Sequence, residues 1–180
     1  MRRLTRHWVA ALVAVGMVAG GWSCKRRPSQ VETVEDENQP ALSVLQVAHP
    51  RAAAQLLSGF YGVEQNAWRW TMGKFAVILM PPLSAPQKGA WLELTFVLPQ
   101  SVLSLRQSVT LAAAVEDTAL PPETYATPGS HTYRREVPAA ALSAGTPVKV
   151  SFTLDKFAKS GELETRELGL VVTTIGLLPR

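Results

Sequence analysis

A chain of 180 residues has room for a targeting segment and one domain with its own core, but not for two independent cores. Apolar residues make up 47% and charged residues 18%, which excludes both a disordered charged polymer and a polytopic membrane protein. The formal net charge of +4 is local: Arg2, Arg3 and Arg6 lie in the first 23 positions, leaving 15 basic against 14 acidic residues.

Residues 1–23 have the layout of a secretory signal: a basic start, an apolar stretch and small residues before Cys24. The uncharged run from Trp8 to Trp22 would extend about 22 Å as a helix at ~1.5 Å per residue, short of the roughly 30 Å hydrocarbon core. The chain's single cysteine, Cys24, stands where such a segment is cut. Gly21-Trp22-Ser23-Cys24 resembles a bacterial lipobox, which implies that Cys24 is acylated and becomes the first residue of the mature chain. Ser23 fits that pattern, whereas Gly21 and Trp22 stand where a branched aliphatic and a small residue are usual. An unlipidated export signal and an uncleaved anchor are the alternatives. A lone cysteine has no partner for an intrachain disulfide and makes no cysteine-based metal site.

Residues 24–40 read as the acylated cysteine and a flexible charged tether. Lys25-Arg26-Arg27 would lie at the head groups, each adding about 1 kcal/mol of attraction to an anionic surface. Glu32, Glu35, Asp36 and Glu37 follow. The expected location is the bacterial cell envelope, lipid-anchored, at the outer membrane or facing the periplasm.

From residue 41 onward strand signals dominate. Ala52 to Leu57, between Pro50 and Gly59, predicts a brief helical turn. Lys74 to Met80, the face Leu92, Leu94 and Phe96, Val109 to Val115, Thr132 to Val137, Val148 to Leu154 and Glu167 to Leu177 predict strands. Pro81-Pro82, Pro99, Pro121-Pro122, Pro128-Gly129, Pro138 and Pro147 predict the turns between them. Leu168 to Leu178, apolar on both faces, predicts a strand deep in the core. Seven or eight strands so spaced predict an all-β domain over 41–180, an antiparallel β-sandwich of jelly-roll type.

The sequence offers little for catalysis. It has no nucleophile elbow and no phosphate loop, and its histidines, His7, His49 and His131, are too far apart for a zinc helix. Asp117 and Asp155 read as turn residues. Glu64, Glu93, Glu116, Glu123 and Glu167 are available as a glycosidase pair, but solvated strand faces explain them more simply. No enzyme activity, cofactor or metal is expected, and no basic stripe interleaved with aromatics suggests nucleic acid.

The densest unusual segment runs from Gly59 to Thr71 and carries Phe60, Tyr61, Trp68 and Trp70. Alternation puts Trp68 and Trp70 on one face of a strand and Arg69 on the other. Such rings either pack a core or form a platform for the apolar faces of sugars, with Glu64, Gln65, Asn66 and Arg69 bonding hydroxyls. Gly59-Phe60-Tyr61 with Glu64, Trp68-Arg69-Trp70-Thr71, and the late Arg166-Glu167-Leu168-Gly169-Leu170 together resemble small jelly-roll domains attached to, or encoded near, bacterial cell-surface glycosyltransferases and polysaccharide-assembly systems. The resemblance covers about Ser58 to Leu178. It implies a carbohydrate-binding-module-like sandwich in which Tyr61, Glu64, Trp68, Arg69 and Glu167 form an internally paired polar site. Glu64 and Glu167 against Arg69 or Arg166 also fit a structural ion network.

The sequence therefore predicts a membrane-anchored binding module for envelope or capsular polysaccharide, with Tyr61, Glu64, Trp68, Arg69, Trp70 and Glu167 as its ligand-binding residues. The alternative is a structural or assembly component of an envelope protein complex.

Overall fold

The computed structural model describes residues 40–180, so the signal segment 1–23, Cys24 and the tether up to residue 39 lie outside the described residues. Nine strands form one sheet: β1 (Val44–Gln46), β2 (Leu56–Glu64), β3 (Trp68–Leu79), β4 (Ala90–Leu98), β5 (Val109–Val115), β6 (Thr118–Tyr125), β7 (Gly129–Val137), β8 (Val148–Leu154) and β9 (Val171–Pro179). Two short helices, α1 (Ala85–Lys88) and α2 (Gln100–Arg106), flank β4. The neighbours run β6-β5-β8-β3-β9-β4-β7, with β1 on β9 and β2 on β3, and every pairing is antiparallel. The result is the expected all-β single domain, a nearly closed, sandwich-like sheet.

Period-two patterning builds it. Along β4, Leu92, Leu94, Phe96 and Leu98 are buried while Trp91, Glu93, Thr95 and Val97 are half-exposed. Val148, Val150, Phe152 and Leu154 of β8 turn inward in the same way. Phe75 of β3 stacks on Phe152, centroids 4.8 Å apart, and Phe60 meets Phe75 edge-on at 5.4 Å. β9 lies deep in the core as expected, bonded to β3, β4 and β1 with Val172, Ile175 and Leu177 fully buried, but it starts at Val171, and Leu168 to Leu170 precede it.

The structure has nine strands where seven or eight were expected, and an unexpected short helix, α1, before β4; three further differences bear on the packing. Over residues 50–55 the helical turn is a 3₁₀ turn, Pro50–Gln55, and Leu56 and Leu57 already belong to β2. Helix α2, with Val102 and Leu103 buried, occupies a stretch for which no helix was predicted. Pro121-Pro122, expected to make a turn, lies inside β6. An edge strand tolerates this, because an outward-facing backbone needs no N–H donor, and the β5–β6 register slips between Leu111 and Ala113 to accommodate the pair.

β6 and β7 are the two ends of the strand order, and side chains join them. The Tyr133 hydroxyl donates to the Pro121 carbonyl at 2.8 Å. Arg135 donates through Nε to the same carbonyl at 2.8 Å and through Nη2 to Pro122 O at 3.2 Å. Its guanidinium also pairs with Glu123 at 2.7 Å and lies 4.6 Å from the centroid of the Tyr133 ring. The carbonyls that two prolines leave on this edge thus find donors in β7. Tyr125 closes the same seam in a cluster with Phe96 and His131, its ring 4.8 Å from the imidazole.

The Tyr125 hydroxyl is buried without a hydrogen-bond partner, and burial, reinforced by the Glu123 carboxylate, pushes its pKa well up. Burial also raises Tyr133, against the opposing pull of Arg135. Both phenols therefore hold their protons in the folded chain beyond the pH at which the unfolded chain releases them. Their contribution is complete below about pH 10 and lost above it, at roughly 1.4 kcal/mol per pH unit for each tyrosine. Chemical denaturation from pH 7 to 12 should show this slope. Tyr125→Phe should remove its share of the slope and leave that of Tyr133, and should raise stability at pH 7 by about 1 kcal/mol, because it removes a buried hydroxyl without a partner.

Candidate functional site

The β2–β3 hairpin is the origin of the site. Its turn places Gln65 and Asn66 at φ of 48° and 55°, the positive pair that a type I′ connection uses, and Ala67 N donates to Glu64 O at 3.1 Å. Glu64 and Trp68 face each other across the strands. Farther along β2, Gly59 at φ 75° passes so close to β3 that a Cβ there would lie 2.1 Å from Lys74 O. Only glycine fits.

The segment 166–170 comes back to this hairpin from the other end of the chain. Arg166 donates through Nη1 to Glu64 at 2.8 Å and through Nε to Glu164, and its guanidinium lies 5.0 Å from the centroid of the Tyr61 ring. Bonding to Glu164 and Glu64 raises the guanidinium pKa further, so it is charged at every relevant pH. Glu167 Oε1 accepts from Gly73 N at 2.6 Å. Gly169 N donates to Thr71 O at 2.7 Å, Thr71 N to Leu170 O at 2.9 Å, and Leu170 N to Thr71 Oγ1 at 3.0 Å. Thr71 is fully buried, and both its backbone and its hydroxyl serve this junction.

The six residues singled out by sequence therefore divide. Tyr61 and Glu64 meet on the hairpin around Arg166, with Trp68 cross-strand from Glu64. Arg69 works inward: Nε donates to Val47 O at 2.7 Å and Nη1 to Tyr61 O at 2.8 Å, tying β2 and the end of β1 to β3. Glu167 is a backbone cap on β3 rather than a partner of Arg69 or Arg166. Tyr61 and Trp70 are half-buried and pack against the core, whereas Trp68 lies outside that cluster. Of the ion network expected from sequence, only the Arg166–Glu64 pair forms, and the partner that the sequence reading did not name is Glu164. The signal for it was the run of charges at 162, 164, 166 and 167, close before an otherwise apolar strand.

The remaining carboxylates of the sequence search are dispersed. Glu93 stands 3.9 Å from Arg134, Glu123 pairs with Arg135, and Glu116 Oε1 accepts from Lys149 N at 2.6 Å. Asp155 accepts from Thr110 N at 2.6 Å, and Asp117 sits in the β5–β6 turn. His49 Nδ1 accepts from Arg51 N at 3.2 Å, and His131 bonds Thr127 O and packs in the β6–β7 seam rather than standing free at the surface. Two shallow depressions, of about 280 Å³ beside Arg106 and Phe157 and about 410 Å³ beside Leu42 and His49, contain none of the six residues. Among the described residues no group of three His, Cys, Asp or Glu side chains is placed to hold a metal, and no helix is long and apolar enough to cross a membrane.

No family model matches the chain, and no curated protein matches it.

The junction at Thr71 has no spare volume. A Cβ on Gly169 would lie 2.7 Å from a Leu154 methyl and 2.8 Å from Met72 O and Thr71 Oγ1. Gly169→Ala should cost about 1–3 kcal/mol through overpacking, read as a lower denaturant midpoint at unchanged m value.

Proposed function

We propose that this protein is a membrane-tethered, non-catalytic binding module of the bacterial cell envelope, anchored through acylated Cys24. Its ligand is envelope or capsular polysaccharide, taken at the tip of the β2–β3 hairpin. The observation that carries this reading is the half-buried ring of Trp68, which lies outside the core cluster and is cross-strand from Glu64, the carboxylate that Arg166 clasps. The carboxylates in the fold serve as ion-pair partners and backbone caps, which supports binding over hydrolysis. The three-segment resemblance to domains of polysaccharide-assembly systems points the same way.

A protein-facing role in an envelope complex is the second reading.

Two variants separate the readings. In the full chain, held in detergent and titrated with bacterial polysaccharides, Trp68→Ala should weaken binding at least tenfold and leave the denaturation midpoint nearly unchanged. Trp70→Ala, which removes a ring packed on the core, should destabilise by about 2 kcal/mol, less than the ~3–5 kcal/mol of a fully buried tryptophan. Equal polysaccharide binding by wild type and Trp68→Ala would move the weight to a protein partner. The anchor is tested separately: Cys24→Ala should shift the protein from the detergent phase to the aqueous phase, and retention in the detergent phase would refute acylation at this residue.

A further inference from the structure

Between β8 and β9 the chain makes a closed loop. Ala158 and Leu168 form an isolated antiparallel bridge, each amide donating to the other's carbonyl at 2.9 Å, and both side chains are buried. Lys159 to Glu167 thus leave the body of the domain and return to it through one neck, the geometry of an Ω-loop. Within the loop, Gly161 N donates to Glu164 O at 2.7 Å, Glu162 N to Lys159 O at 3.1 Å, Lys159 N to Glu162 Oε2 at 2.6 Å and Ser160 Oγ to Thr165 O at 2.6 Å.

No residue from Lys159 to Glu167 is buried, and Leu163, the only apolar side chain among them, is 40% exposed. Polar bonds fasten the loop to the body at two flanks. On one, Glu162 pairs with Arg106, the last residue of α2. On the other, Arg166 pairs with Glu64 of β2 at 2.8 Å and lies over the Tyr61 ring, while Glu167 accepts from Gly73 N of β3 at 2.6 Å. A segment that buries no apolar side chain opens at far lower cost than the whole domain, and exposed ion pairs add little to that cost and are screened by salt.

We infer that Lys159 to Glu167 is a strap that detaches and re-attaches as one unit about the Ala158–Leu168 neck, so that its fastening to α2 helps to hold Arg166 on the β2–β3 hairpin. The internal bonds carry the coupling. Glu162, which reaches α2, also holds Lys159 N. Glu164, next but one, accepts from Gly161 N through its carbonyl and bonds Arg166 through its carboxylate. The two flanks therefore end on one hydrogen-bonded turn, and release at either loosens the other. When the strap lifts, the hairpin loses its lateral support. This motion is independent of what the hairpin binds and goes beyond the proposed polysaccharide role.

The test is amide hydrogen exchange, read residue by residue on the full chain in detergent. The Gly161 amide reports on the strap, and the Gly73 amide reports on the far flank through the Glu167 carboxylate that it bonds. The Leu94 and Val150 amides, in the interior strands β4 and β8, report on the whole domain. In wild type, Gly161 and Gly73 should exchange faster than Leu94 and Val150, and raising the salt from about 0.1 M to about 1 M should speed the first pair alone. Glu162→Ala, which cuts only the α2 flank, should speed Gly161 and Gly73 by a common factor of roughly threefold, the scale of an exposed ion pair, with the denaturation midpoint nearly unchanged. Linkage makes the effect reciprocal, so Glu64→Gln should speed Gly161. A Gly73 amide unmoved in Glu162→Ala shows independent flanks and overturns the inference. So does an equal rise at Leu94 and Val150, or wild-type exchange of Gly161 and Gly73 that is no faster than theirs.

Discussion

Segment 166–170 lies against the first half of β3, and each of its five residues makes a bond there or closes the loop that delivers it. Arg166 reaches Glu64 and Glu167 reaches Gly73 N. Leu168 bonds Ala158 in both directions, and Gly169 and Leu170 bond Thr71. The contacts span 94 to 102 positions in the chain, so they join its beginning and its end. Thr71 is the pivot. As a threonine with no exposure it would carry an unpaired hydroxyl at a cost of about 1–3 kcal/mol, and Leu170 N is the donor that removes that cost. Because β9 begins where this segment ends, the register of the central strand depends on it.

The same junction supports the candidate site. The hairpin tip has no strand beyond it, and a free two-stranded ribbon is marginal in water. Here it is held from below by Arg69, from the side by Arg166 and at its bend by Gly59. Glu64 and Trp68 thereby lie on a supported ribbon. The opposite side of the sheet solves a different problem. The strand order ends at β6 and β7, and open edges invite pairing with other chains. Pro121 and Pro122 remove donors from one edge, while Tyr133 and Arg135 cover its carbonyls.

The strand content was legible because burial on one face imposes a period of two. Leu92, Leu94 and Phe96, or Val148 to Leu154, are identified by that period alone. The prolines were less legible. Pro99, Pro138 and Pro147 border elements as expected, but Pro121-Pro122 reads identically in sequence and lies within β6, since only the sheet order shows that its strand is an edge. Helix α2 was hidden for a related reason: seven residues give less than two turns of periodicity, too few to stand out between strong strands. Within the candidate site, Arg69 and Glu167 were recognised as polar residues in an unusual place. Their bonding to main chain, rather than to each other, follows from distances that span 22 and 94 positions.

By itself the sequence determined that residues 41–180 make an antiparallel β domain with its last apolar run buried, because alternation and β-branched content are local properties that burial reads directly. The tertiary structure alone decided what each polar residue bonds. Glu64, Glu164 and Glu167 carry the same carboxylate, yet one caps a strand and two clasp an arginine over a tyrosine ring. Hydrogen-bond partners are set by where distant segments meet, and no local pattern encodes that meeting.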